Sequence, residues 1–344
     1  MFGLVAAFAP AIGPALSGWI IDNYSWRVLF EMLLPVAVLD LVAAVFLLRN
    51  VTALNSPKID VLSIVLSSLG FGGLLYGSSI AGTAGWGSPE VVATLAGSIL
   101  ALTGFIYRQL KLKSPMLEFR VFRYGKFTLS TLLVIIVFIA LLGELMLLPI
   151  YTQNMLGCTA LESGLMLMPG GIIMGILSPV TGKIYDKIGA KWLAIMGLSI
   201  VAFSTFMLTH LEPDTSLLYL AIVNSLTMIG VAMVLMPLTT SALNQLPSRL
   251  IPHGTAMTNT LRQVAGAIGS AVLINVMTNS ALDPVKFGID GSVHGVNVAF
   301  EVVTYVCLAG LILALFEKRK SERTSGTQYE AMENLANRTV GGNE

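Results

Sequence analysis

The sequence predicts an all-α polytopic membrane protein. Three observations predict it: charge is scarce, apolar runs of bilayer-spanning length recur, and the basic residues fall on one side of those runs. Charged residues make up 11% of the 344 residues and hydrophobic ones 55%. A soluble domain is nearer a quarter charged, and no ordinary soluble interior could hold a mean hydropathy of +0.80. The alternating pattern of a transmembrane barrel is absent from the sequence.

About ten runs reach the roughly 20 residues that a helix needs to cross a bilayer. They cover about 2–22, 28–48, 60–80, 89–107, 127–149, 164–182, 191–210, 217–239, 257–279 and 297–316. With the N-terminus inside, the inner segments receive Arg49 and Lys58, the Arg108–Lys126 basic group, Lys183 to Lys191, Arg249, Arg262 and the basic residues after 317. Only Arg27 and Lys286 fall outside, which leaves 18 of the 20 basic residues on one side. The positive-inside bias therefore predicts both the count and an orientation with both termini cytoplasmic. Met1 opens directly into an apolar run with no basic leader, so no cleaved signal peptide is expected.

The first span carries the stretch Ala9–Asp22. Ala9, Gly13 and Ser17 are spaced by four, so one face is small and open to close approach by another helix. Pro10 and Pro14 are expected to bend the helix. Such a face serves ordinary packing or a moving interface. The second span contains Glu31 and Asp40, and the fifth contains Glu144 between apolar neighbours. Acids within spans are costly and are functional candidates. Glu144 has two roles open to it: a structural carboxyl bonded to a neighbouring helix, or a group that holds a proton in one state and a cation in another. Arg262, near the inner end of its span, can snorkel or take part in coupling. Tyr151, Gln153 and Asn224, with Thr227, are polar groups that could line a cavity.

Segment 114–126 mixes basic residues with Met116, Leu117, Phe119, Val121 and Phe122, and is expected to lie along the inner interface. Residues 317–344 are polar and are expected to form a disordered cytoplasmic tail. Cys158 and Cys307 are far apart and have no metal or redox spacing. The sequence holds no metal-ligand pattern, no nucleophile arrangement and no phosphate-binding loop. It therefore calls for no cofactor, no metal and no nucleic acid, and any transport is expected to draw on an ion gradient.

An internal echo joins Ala9-Pro-Ala-Ile-Gly-Pro-Ala-Leu16 to Ala265-Gly-Ala-Ile-Gly-Ser-Ala-Val272. Read as equivalent helices of two parallel repeats, it makes the chain the last ten of fourteen spans. Several stretches then carry a family likeness. Gly13-Pro14 with Ser17 and Gly18 is similar to an antiporter motif, G-x-x-x-G-P-x-x-G-G, with Ala9 and Ser17 replacing glycines. Trp26-Arg27-Val28-Leu29-Phe30 matches a Trp-Arg-x-x-Phe turn. Gly182 to Lys191, with Asp186 and Gly189, matches the loop pattern G-x-x-x-D-x-x-G-x-[RK]. Pro149 to Gln153, Gly157, Gly164, Pro169-Gly170 and Leu261-Arg262-Gln263 complete the set.

Together and in order these resemble the fourteen-span drug:proton antiporters of the major facilitator superfamily, the QacA/EmrB type. The resemblance implies a major facilitator-like helical bundle in which the first four helices of the family are lacking. It divides the chain into 1–48 (the last two helices of the N-terminal bundle), 49–126 (an inserted helix pair with a basic cytoplasmic linker), 127–316 (a six-helix C-terminal bundle) and the tail. It implies proton-coupled multidrug efflux by alternating access in the bacterial cytoplasmic membrane, with lipophilic, often cationic small molecules, protons and the lipid bilayer as partners. Export of a dedicated metabolite and a transport-inactive fragment are the alternatives. In this likeness Gly182 and Gly189 permit a tight turn, while Asp186, among Lys183, Lys187 and Lys191, pairs with bases or caps a neighbouring helix in one conformation and releases it in another.

Overall fold

A computed structural model describes residues 2–47, 60–112 and 115–317. Among the described residues the chain is helical, with no strand: α1 (Phe2–Asn23), α2 (Arg27–Leu47), α3 (Val61–Ala84), α4 (Pro89–Lys111), α5 (Gly125–Asn154), α6 (Ala160–Ile188), α7 (Ala190–Met207), α8 (Leu217–Leu243), α9 (Ile251–Ser280) and α10 (Pro284–Leu315). Short 3-10 turns at Phe119–Arg123 and Ser248–Leu250 precede α5 and α9. Helices α2 to α10 are each long and apolar enough to cross a bilayer, and α1, at 22 residues, has the length of a span. The tail beyond 317 and the basic residues Arg49, Lys58 and Lys113 lie outside the described residues.

Most helices outrun their apolar runs, and α6 and α10 do so from capped starts in polar sequence. α6 starts at Ala160, where Thr159 accepts the Glu162 N–H at 3.1 Å and Glu162 accepts the Thr159 N–H at 2.8 Å. This reciprocal cap satisfies two of the backbone donors that a helix start leaves free. α10 starts at an Asp283 cap, with Pro284 in its first turn, and is broken at Gly288, whose φ of 55° is left-handed. The tenth helical element thus reaches back far beyond residue 297.

Helices α5 to α10 pack around one apolar core that includes Leu133, Val137, Leu147, Leu198, Val231 and Phe300. α3 pairs with α4 and also touches α9, and α1 lies along α6. α2 buries none of its residues: Leu39 and Phe46 are 68% and 80% exposed. A helix apolar on all sides suits hydrocarbon, which offers it no gain from turning inward.

Two ends of the bundle can be named from its turns. At the Asp22 end lie the last turns of α1, α5, α7 and α9 and the first of α6, α8 and α10. At the Gly189 end lie the last turns of α4, α6, α8 and α10 and the first of α3, α5, α7 and α9. Residues 115–126 are found at the Gly189 end, but their apolar groups other than Met116, which is 49% exposed, turn into the protein. Val121 is fully buried with Phe127, Leu246 and Met257, and Phe119 and Phe122 pack on the same cluster. Phe119 also meets Phe105 of α4 edge-on, at 5.9 Å between ring centres. Available protein partners outcompete an interfacial position for these side chains.

Candidate functional site

Glu144 sits in α5, the most buried of the spanning helices, with 0% of its surface exposed. Its Oε1 accepts the Asn224 amide of α8 at 3.0 Å. Its Oε2 and the Asn224 Oδ1 are both buried without a hydrogen-bond partner. Both unpartnered atoms are acceptors, so the pair lacks hydrogen-bond donors. Gly170 of α6 makes the room: a Cβ there would stand 2.3 Å from Asn224 Oδ1.

A line of small hydroxyls continues beside this pair. Thr227, one turn after Asn224, donates to Ser204 of α7 at 2.8 Å. Thr304 of α10 donates to Thr205 at 3.1 Å. All are buried. Four helices, α5, α7, α8 and α10, therefore bring polar groups into the interior of the bundle, where water does not compete and each unmade bond is costly.

A second arrangement joins α1 to α6 at the Asp22 end. Pro14, Gly18 and Asp22 are spaced by four and lie on one face of α1. A Cβ on Gly18 would stand 2.3 Å from the Ala160 carbonyl oxygen, and one on Gly164 would stand 2.4 Å from the Pro14 carbonyl oxygen. Asp22 completes the seam by accepting the N–H groups of Ala160 at 3.1 Å and Leu161 at 2.8 Å. The carboxylate thereby caps the positive end of the α6 dipole.

The expected packing face of α1 needs correction. Gly13 is exposed and has open space around it, and Ser17 bonds within its own helix, to the Pro14 carbonyl at 3.0 Å. The side chain of Ala9 lies outside the described residues. The close approach runs along Pro14 and Gly18, one residue around the helix from the spacing read in the sequence.

The other candidates separate. Glu31 and Asp40 are exposed on α2 and are not brought to Glu144. Arg262 of α9 places its guanidinium 4.8 Å from the Phe138 ring of α5, with its Nε buried and unpartnered. Asn224 bonds to Glu144, and Tyr151 and Gln153 have other surroundings. Tyr151 is fully buried and donates its hydroxyl to the Glu212 carbonyl, while Gln153 is exposed at the end of α5. No group of metal-ligating residues occurs among the described residues.

The sequence profile of the Major Facilitator Superfamily matches residues 1–270. The chain belongs to the major facilitator superfamily. It is 47% identical over 329 residues to the uncharacterized MFS-type transporter YcnB of Bacillus subtilis (strain 168), covering 95% of this chain and 70% of that one. It is 40% identical over 328 residues to the lincomycin resistance protein LmrB of Listeria monocytogenes, covering 93% and 69%. It is 29% identical over 282 residues to the multidrug transporter protein MdtP of Bacillus subtilis, covering 80% and 51%. The superfamily's members are transporters and not enzymes, which accords with a multi-pass helical chain.

Within this superfamily member the Gly182–Lys191 segment is mostly helix, not loop. Gly182 and Asp186 lie in the last turns of α6, and only Gly189 turns the chain, with φ 82°. Asp186 is exposed and forms no ion pair among the described residues. Lys191 instead donates to the Leu315 carbonyl at 2.7 Å, at the last turn of α10. A helix-capping carboxylate is found at the opposite end, in Asp22. The sequence held a signal for it: an acid four residues beyond Gly18, on the same face.

Proposed function

We propose that this superfamily transporter is a drug exporter driven by protons, with Glu144 as the coupling group. The observation that carries the proposal is the buried Glu144 carboxyl, with one oxygen bonded to Asn224 and the other unpartnered. That second oxygen can take a proton or the cationic group of a substrate, and the two exclude each other. Competition of this kind is the minimum that exchange of one for the other requires. The neighbouring hydroxyls of Thr227, Ser204, Thr205 and Thr304 offer groups that can exchange bonds as helices shift.

In this reading the Asp22 end faces outward and the seam between α1 and α6 is the outer closure. α1 and α2 then belong to one half of the transporter and α5 to α10 to the other, with α3 and α4 an inserted pair. Asp22 would hold the closure and release it during alternating access. The relatives named for lincomycin and multidrug resistance make lincomycin and lipophilic cations the compounds to test first.

The test reconstitutes the chain in lipid vesicles under an imposed pH gradient and follows uptake of lincomycin and of ethidium. Gradient-driven accumulation, lost in Glu144→Gln while the variant keeps its thermal transition, is the expected result. Uptake that ignores the pH gradient, follows a sodium gradient alone, or survives in Glu144→Gln overturns the proposal.

A further inference from the structure

A cavity of about 580 Å³ opens at the Gly189 end, away from Glu144. Its lining includes Glu118, Arg120, Arg123, Tyr124, Arg249 and His253. Three guanidinium groups and an imidazole thus face one carboxylate. Glu118 is engaged with Arg120, at 3.5 Å, and Arg120 also donates to the Leu110 carbonyl at 3.2 Å. His253 Nδ1 lies 3.2 Å from the Met116 carbonyl. Arg123 and Arg249 form no ion pair among the described residues. They come from the two short 3-10 turns that precede α5 and α9, so two separate connections each place a free cation at one opening.

The place of the cavity narrows its ligand. Its walls are the connections between spanning helices, at the level where helices end and headgroups begin. Tyr124 is 38% exposed in its lining, and Met116 and Ile251 beside it are 49% and 37% exposed. An apolar and aromatic rim beside a cationic hollow matches a molecule with a phosphate at one end and hydrocarbon at the other. Arginine pairs with phosphate oxygens in bidentate geometry, which a free surface lysine cannot reproduce.

We propose that this cavity binds a phosphate group, and that the phosphate is the headgroup of an anionic phospholipid. Arg123 and Arg249 contact the phosphate, and Glu118 sets the strength of the site by opposing it. The proposal stands apart from the transport reading, because it involves none of the residues assigned to coupling.

The experiment is native mass spectrometry of the purified full chain, released from micelles doped with phosphatidylglycerol or phosphatidylcholine. The chain is expected to retain phosphatidylglycerol in preference. Arg123→Gln with Arg249→Gln should lower that retention about tenfold or more, from the attraction typical of two surface cations. Glu118→Gln should raise it. Lys183→Gln with Lys187→Gln, which removes two charges from the same end but outside the cavity, should leave it unchanged. Retention that is equal in wild type and the arginine variant overturns the proposal, and so do equal losses in the arginine and lysine variants. A parallel thermal-shift series in phosphatidylcholine micelles titrates inorganic phosphate. Arginine-dependent stabilisation by phosphate, with phosphatidylglycerol retention independent of the arginines, overturns the lipid assignment in favour of a free anion.

Discussion

Asp22, in the last turn of α1, accepts the backbone N–H of Leu161, in the first turn of α6, at 2.8 Å. The two residues are 139 positions apart in the chain. Their bond closes a seam in which helix backbones approach almost without side chains between them, at Gly18 against Ala160 and at Gly164 against Pro14. A capping carboxylate contributes about 1 kcal/mol, so the seam can be held by this bond and still be opened by a modest competing interaction.

Asp22→Ala is therefore expected to shift the open-to-closed ratio of this seam by about fivefold, the factor that about 1 kcal/mol supplies. The distance can be read between spin labels on Tyr24→Cys and the native Cys158, with the buried Cys307 replaced by Ala. Asp22→Asn keeps one acceptor oxygen and should fall between. An unchanged distance distribution in Asp22→Ala would show that glycine packing alone holds the seam.

The Glu144–Asn224 pair makes a prediction about stability that is separate from transport. Asn224→Ala removes the donor to a buried carboxyl and should lower stability by about 1–3 kcal/mol. Glu144→Gln should cost little, because its amide gains the ability to donate to Asn224 Oδ1, which now has no partner. Gly170→Ala should be destabilising as well, since its Cβ would stand 2.3 Å from that oxygen. Thermal unfolding in detergent orders the three variants, and an Asn224→Ala protein as stable as wild type contradicts the pairing.

Glu317 predicts a pH dependence. It follows α10, is 2% exposed, and accepts from Ser130 at 3.2 Å. Burial raises its carboxyl above the ordinary range, against the Ser130 bond and the charges of Lys126 and Lys191, which act to lower it. An acid raised in this way binds its proton more tightly in the folded state than in the unfolded one. Its contribution to stability is complete below the unfolded value and is lost as pH rises through the folded value. Glu317→Gln, neutral throughout, should match wild type at acid pH and exceed its Tm above that window. A Tm difference that stays constant with pH would remove Glu317 as the cause.

Much of this molecule was legible along the chain. The apolar runs marked α2 to α10 because hydropathy over some twenty residues is a local property, and a bilayer imposes its thickness on every span alike. Glu144 was legible as well, since an acid flanked by Leu142 and Leu145 is out of place in any span. Its partner was not. Asn224 and Gly170 read as one polar residue and one small residue in different helices, and no spacing in the sequence joins them. Tyr151 looked like a cavity residue because its phenol is polar, yet the carbonyl that takes its hydroxyl belongs to Glu212, in a connection 61 residues away.

Asp22 marks the boundary most clearly. By itself the sequence determined that α1 is an apolar helix with small residues and an acid at its end. Those features depend on composition and on the helical repeat. Only the tertiary structure decided which face of α1 meets another helix, and that this acid caps α6. A small residue permits close approach on whichever side a partner arrives, and a carboxylate caps any helix start within reach. The direction of approach is set by how all the helices fill space together, and no local stretch of the chain contains it.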